Sequence, residues 1–350
     1  MSDGKIPARS PSEHTIKGVD SLRFFAAAWV VLYHGGQFPI EHLVSDPRKT
    51  TLLHDLGRLP FNGVSAVVLF FVISGFVIHF GSTSRAVFDW RRFLIQRVIR
   101  IGAPLVGILL FSALLGPTYS AAVHAVLWSV YSEIIYYLLY PLMRHMMVGR
   151  RMASLLGLSA AVSLAMAIAN PHLIFPGDFG PYTWLFCLPM WLVGCLLAQL
   201  FRARRFSLPR VPLWALRLAA ILFGAGAAVL SHLPGHAIGY IWTMPPFSIY
   251  CALWLWIEVN QFRLTRVTGV FEALGAAGYS IYLTHKIVIN AAAQISGHLN
   301  WLVLWSVQLL GFIVLASAFY FAVERPSHTL SRALGASWAK RRSAKLQGAE

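Results

Sequence analysis

Among the ionisable residues inside long apolar stretches of this chain are Asp20, Arg23, His34, Glu133 and His285, and Glu324 with Arg325 closes the last of them. A charged group in lipid costs at least about 2.5 kcal/mol on insertion scales, so each needs a reason to be there. Asp20 and Arg23 are three residues apart on one helical face and can pair, with Arg23 snorkelling to the headgroups. His34 follows Arg23 by eleven residues, about 16 Å further along a helix axis. It therefore lies in the opposite half of its segment, and an imidazole is the side chain best suited to proton transfer near neutral pH. Glu133 sits about 13 Å below the outer end of its own segment, at a depth comparable with His34. An intramembrane Glu with an intramembrane His can be a buried structural pair, a proton relay, or a base with its orienting carboxylate. Arg97 and Arg100 lie between apolar runs. Topology alone accounts for an excess of arginine there, but the i, i+3 spacing also makes a two-pronged clamp, and arginine suits bidentate phosphate binding.

The elements that must position these groups are set by composition. Hydrophobic residues make up 57% of the 350, charged residues only 12%, and the mean hydropathy is +0.63, which points to lipid as the solvent. The formal charge of +16 is spread as short clusters between apolar runs. That is the distribution of a spanning protein, not the basic stripe of a nucleic-acid binder. Cys187, Cys195 and Cys251 form no metal spacing, and the first two, about 12 Å apart along one helix, are too distant to bridge. No metal site is expected. The polar first fifteen residues lack the apolar core of a cleaved signal peptide, so the first span is expected to direct insertion.

Apolar runs near the ~20 residues that cross a bilayer fall at 19 to 38, 60 to 80, 102 to 117, 124 to 143, 152 to 170, 181 to 201, 212 to 231, 237 to 257, 268 to 290 and 299 to 323. The fold class expected is an all-α polytopic membrane protein of about ten transmembrane helices. Alternating the loops puts 24 of the 29 Lys and Arg on the side of the N-terminal tail, which makes both termini cytoplasmic by the positive-inside rule. The expected organisation is a cytoplasmic tail at 1–15, a transmembrane domain at 16–325 and a basic cytoplasmic tail at 326–350.

With these residues in view, the chain resembles the bacterial acyltransferase family 3. The resemblance is carried by VDSLRFFAAAWVVLYH, GVSAVVLFFVISGFVI, the arginines of QRVIRIGAP, LWSVYSEIIYYLLYP, GYSIYLTH and the Glu324-Arg325-Pro326 ending, in order along nearly the whole chain. It implies a membrane O-acyltransferase of the cytoplasmic (inner) membrane, O-acetylating surface polysaccharides, lipid-linked glycans and related products. It further implies His34 as the reacting residue, Arg97 and Arg100 in acyl-CoA handling with Arg23 as the first-span arginine, and functional roles for Glu133 and Glu324. Ser129, Tyr282 and His285, within the matching segments, are further candidates. Ser21 and Phe24 stand where the family pattern has glycines, so packing around Arg23 is expected to differ. The chain stops about 25 residues after the tenth span, so a fused extracytoplasmic domain is not expected. Acceptor capture then falls to the membrane domain, a polysaccharide-biosynthesis partner or a second copy of the chain.

The expected reaction takes acyl-CoA, acetyl-CoA foremost, from the cytoplasm, with its phosphates at Arg97 and Arg100 and the pantetheine arm reaching to the depth of His34. Glu133 is expected to fix the histidine's tautomer and charge. His34 either deprotonates a sugar hydroxyl for direct attack or takes the acyl group first as an acyl-imidazole. The rival is a proton-coupled carrier of a glycan or small metabolite, which also uses intramembrane His, Glu and Arg. Against it stand the missing internal repeat and the arginine clamp, which a carrier leaves without a task.

Overall fold

Each of the ten apolar runs falls on helix, because lipid offers no partner for backbone N–H and C=O and only intrahelical bonding satisfies them. A computed structural model of the chain describes residues 16–83, 87–203, 211–233, 238–262 and 269–347, and these contain helices, turns and no strand. In chain order the helices are α1 (Val19–Val31), α2 (Pro47–Arg58), α3 (Gly63–Thr83), α4 (Trp90–Arg97), α5 (Ala103–Leu115), α6 (Pro117–His124), α7 (Trp128–Met143), α8 (Arg150–Ala169), α9 (Thr183–Ala203), α10 (Leu213–Ser231), α11 (Tyr240–Phe262), α12 (Gly269–Ala276), α13 (Gly278–Ile295), α14 (Trp301–Phe319) and α15 (Arg325–Gln347). Among the described residues six helical stretches are long and apolar enough to cross a membrane, or seven if the bent pair α6 and α7 counts as one crossing. The expected tail at 1–15 and, among the arginines counted for topology, Arg85, Arg204, Arg205, Arg210, Arg263 and Arg266 lie outside the described residues.

At the centre is α3, buried along most of its length and packed against α9, α1 and α11. Its contact with α9 is backbone on backbone: a Cβ on Gly75 would strike the Trp191 carbonyl, and one on Gly194 the Val72 carbonyl. Small residues at such a crossing allow the dispersion contacts that hold helices together in lipid. Further out, α10 and α11 are joined by an ion pair whose carboxylate is buried and whose guanidinium is partly exposed. Glu258, with no exposed surface, accepts from Arg217 Nη2 at 2.5 Å and from the Trp254 indole at 2.5 Å. The three cysteines are free and buried, as small packing residues should be.

Several runs are interrupted rather than straight. The fourth bends by 55° between α6 and α7; at the bend the Val126 carbonyl accepts from Tyr282 Oη at 2.6 Å, replacing the intrahelical bond. The ninth breaks at Ala277 into α12 and α13. The third starts earlier than its apolar core: Trp90–Arg97, expected as a loop, is helix, with Asp89 as N-cap accepting from the Arg92 amide at 3.1 Å. A wide π-helical turn at Val98–Gly102 then carries the chain into α5 past Pro104. Proline has no N–H and clashes with the carbonyl four residues back, so a widened turn just before it removes the conflict. A second π turn, Tyr320–Glu324, precedes Pro326 in the same way. The segment beyond 325, which charge alone reads as a tail, is the helix α15, lying against α4.

Candidate active site

α1 ends at its histidine. A third π turn, Leu32–Gly36, carries His34, and Gly35 leaves the helix at φ 130, in the left-handed region that favours glycine. The turn is pinned by α14: Gln308 Nε2 donates to the Gly35 carbonyl at 2.8 Å and the Trp305 indole to the Gly36 carbonyl at 3.4 Å. π turns in otherwise α-helical segments occur frequently at functional sites, and here the three of them carry His34, Arg100 and Glu324.

The two candidate histidines meet. His34 Nδ1 lies 3.0 Å from the Val30 carbonyl and 3.3 Å from His285 Nε2, and the ring centroids are 4.9 Å apart. His285, fully buried on α13, sets its Nδ1 2.5 Å from the Tyr282 carbonyl. Carbonyl oxygens only accept, so Nδ1 carries the proton in both rings. His285 Nε2 is then an acceptor, shared with Val30 for the His34 N–H. A neutral His34 is left with its Nε2 lone pair uncommitted. That is the tautomer of a general base or a nucleophile.

Glu133 does not make the expected bond to His34. Its carboxylate accepts from Tyr137 Oη one turn along α7, in a chain that runs back through Ser74 Oγ (2.9 Å from Tyr137 Oη) to the Trp191 indole (3.2 Å from Ser74 Oγ). The orienting position beside His34 belongs to His285 because α13 packs directly on α1, whereas the i, i+4 tyrosine claims Glu133 within its own helix.

Glu133 instead faces a cavity of about 280 Å³ that also receives Arg23, Arg97, Arg100, Ser129, Tyr282 and Glu324. Seven of the nine candidate residues therefore converge on one space. His34 and His285 are absent from its lining; Tyr282, whose ring centroid is 5.7 Å from that of His285, is common to the wall and the histidine pair. Tyr282 and Ser129 form part of the frame: their hydroxyls lie 2.8 Å apart, tying α13 to the start of α7. Arg23 Nη1 is 2.5 Å from Asp20 Oδ1, so the expected pair forms while Arg23 still lines the cavity. Arg97 lies over the rings of Phe93 and Tyr137 at 5.7 and 5.9 Å. Arg100 Nε donates to His328 Nε2 at 3.2 Å, which requires a neutral His328 with its lone pair on Nε2.

Two carboxylates hold helix starts at the cavity. Glu324 Oε2, buried, accepts from the Ser280 amide at 2.9 Å and its hydroxyl at 2.5 Å, capping α13 from outside the helix. Glu272 Oε1 does the same for α1 through Ser21, at 3.2 and 2.8 Å. An anion at a helix N-terminus satisfies an otherwise orphaned N–H and meets the positive end of the helix dipole. The two positions that depart from the family's glycines thus both dock onto α12, since Phe24 stacks on Phe271 at 5.8 Å. Residues that the sequence reading passed over also line the cavity, among them Tyr137, Tyr279, Tyr320, His328 and Arg332. Their signal was spacing: Tyr137 follows Glu133 by four, and Glu324, His328 and Arg332 recur every four residues along one helical face.

A family model described as an acyltransferase domain matches residues 16–323. Comparison with curated proteins and with solved structures gives no match.

Proposed function

The chain belongs to the acyltransferase family 3, and on that premise we propose that it transfers an acyl group, acetyl foremost, from acyl-CoA at the cytoplasmic face to a hydroxyl of a carbohydrate such as an exopolysaccharide, O-antigen or lipid-linked glycan. The observation that carries this reading is the uncommitted Nε2 of His34, whose Nδ1 proton is held by the Val30 carbonyl and His285, beside a cavity lined with arginines. The carrier reading gains nothing from a match to an acyltransferase.

In this scheme the phosphates of the donor lie at Arg97 and Arg100, where charge-assisted contacts to a planar guanidinium are strongest. Arg100 is held for this by His328, which occupies its Nε–H and leaves the terminal nitrogens of the guanidinium to the ligand. Glu133 keeps one negative charge among the arginines, which limits their mutual repulsion when no ligand is bound. The thioester end reaches His34 past Tyr282. His34 Nε2 takes the proton of the sugar hydroxyl as its oxygen attacks the thioester carbonyl. The C–O bond forms, the C–S bond breaks, and the proton passes from His34 to the departing CoA sulfur. In the covalent route the same Nε2 attacks the thioester carbonyl first, the C–N bond forming as the C–S bond breaks and the ring proton leaving with CoA as its thiol; the sugar hydroxyl then attacks the acyl-imidazole, the C–O bond forming as the C–N bond breaks and the hydroxyl proton returning to the imidazole.

The scheme is completed by an inner-membrane location, a ten-span topology with both termini in the cytoplasm, and a lipid bilayer plus glycan acceptor as surroundings. The test is transfer of labelled acetyl from acetyl-CoA to glycan by the purified chain in liposomes, with His34→Ala as the blank. Transfer that depends on His34 supports the proposal; a purified, folded chain that neither binds nor consumes acetyl-CoA overturns it. Rapid acid quench without acceptor separates the two routes, since only the covalent one leaves label on His34. Cysteine probes after Arg332 and near Lys49 check the topology, which fails if only the first is reached from outside.

A further inference from the structure

The cavity has a cation that the scheme above leaves unused. Arg332 lines the mouth from α15, two turns beyond Glu324 and one beyond His328, and its side chain is exposed at the rim. Among the described residues it makes no hydrogen bond and no ion pair. By contrast, Arg23 is committed to Asp20 and Arg100 to His328. Arg332 is nonetheless not a loose charge, because the helix that carries it is fastened. Trp338 Nε1 donates to Asp89 Oδ2 at 3.1 Å, and the Arg91 guanidinium lies 5.9 Å over the Trp338 ring. Asp89 is also the N-cap of α4, the helix that ends at Arg97. One carboxylate therefore fixes both the helix bearing Arg97 and the helix bearing Arg332.

We propose that Arg332 is a third anion-binding residue at the mouth of the cavity, contacting a phosphate of the acyl donor, and that the Trp338–Asp89 latch is the positioning device that holds it there. The proposal rests on the acyl-CoA reading. It places part of the donor site on a segment beyond the matched residues 16–323. A donor with several phosphates suits three cations spread over two helices, since each guanidinium takes one phosphate in bidentate fashion.

The test is CoA binding to the full-length protein in detergent, measured by titration calorimetry beside a thermal melt for each variant. Wild type is expected to bind. Arg332→Gln is expected to weaken binding about tenfold, the scale of one charge-assisted hydrogen bond, with an unchanged melt because the side chain is exposed. Arg332→Lys is expected to recover part of the loss, keeping the charge without the fork. Trp338→Ala, outside the cavity, is expected to weaken binding severalfold. The double variant Arg332→Gln with Trp338→Ala is expected to match Arg332→Gln to within about twofold, because both changes remove the same contact. Wild-type affinity in a folded Arg332→Gln protein overturns the proposal and leaves the acyl-CoA reading standing. A wild-type protein that binds no CoA removes both. Fully additive losses in the double variant refute the latch, since Trp338 would then act on something other than Arg332.

Discussion

The His34–His285 contact separates two roles that resemble each other in a sequence. If His34 is the base or nucleophile, His34→Ala removes the reacting atom, and turnover is expected to fall by at least about 10², the low end for lost general acid–base catalysis. His285→Ala removes only one of two acceptors for the His34 N–H. The Val30 carbonyl at 3.0 Å remains, against 3.3 Å for His285 Nε2, so the tautomer survives. The loss is then one net hydrogen bond, about 0.5 to 1.5 kcal/mol, equivalent to about 2- to 13-fold in rate. His285 is also fully buried, so truncation leaves a void. It should lower the melting temperature where His34→Ala, half-buried, lowers it less. The assay is steady-state acyl transfer with CoA affinity and detergent melt measured on the same preparations, at a temperature where both variants are folded. Unaltered CoA affinity in His34→Ala is part of the expectation, because the arginines are untouched. A folded His34→Ala protein that turns over at near wild-type rate removes the centre of the mechanism. A His285→Ala protein as dead as His34→Ala, yet folded, makes His285 the reacting ring and reverses the assignment.

Replacing Arg97 and Arg100 together by Gln is expected to raise the CoA dissociation constant at least about a hundredfold, from two charge-assisted contacts of about 1.5 to 3 kcal/mol each; unchanged affinity in a properly inserted double variant returns both to topology markers. Glu133→Gln keeps the shape and loses a charge that does not touch His34, so it is expected to cost less in turnover than His34→Ala; an equal loss in both, by the same transfer assay, would show that the carboxylate acts on the reaction itself. Arg217→Leu leaves Glu258 buried without its partner. It is expected to destabilise by at most about 3 kcal/mol, the low end for a broken buried pair, because the Arg217 side chain is 39% exposed; changing Glu258 to Leu as well should return most of the loss in a detergent melt. Gly75→Val is expected to abolish folded protein in size-exclusion profiles, as the side chain would enter the Trp191 carbonyl; a normal profile would mean that α3 and α9 do not cross as described.

The positions of the helices were legible because the signal for a buried helix is its apolar length, and that lies on the surface of the sequence. The interruptions were not. The bend between α6 and α7 depends on Tyr282 reaching Val126 from 156 residues away, and no local pattern announces a distant hydroxyl. Pro104 was visible as a boundary problem, but its solution, a widened turn after an early helix start at Asp89, lies in backbone geometry. Among the candidate site residues, intramembrane rarity singled out Arg23 and Glu133, which line one cavity, and His34, which lies outside its lining. Their pairing was misjudged, since comparable depth along two helices says nothing about which faces meet. The periodicity that could have placed His328 and Arg332 was present, at four-residue spacing from Glu324, but the surrounding Lys and Arg masked it as a solvated tail.

The pinning of α1 by α14 has a consequence for the order in which the molecule becomes competent. The span bearing His34 is among the first to leave the ribosome, and chains are made from the N-terminus onward. Yet the ring that orients His34 is residue 285, and the side chains that hold the turn around it are Trp305 and Gln308. On the proposed mechanism the nascent chain therefore carries His34 through almost the whole of synthesis without its contacts to α13 and α14. On the same mechanism, premature release or truncation before α14 removes the Trp305 and Gln308 contacts to the His34 turn and should lower activity.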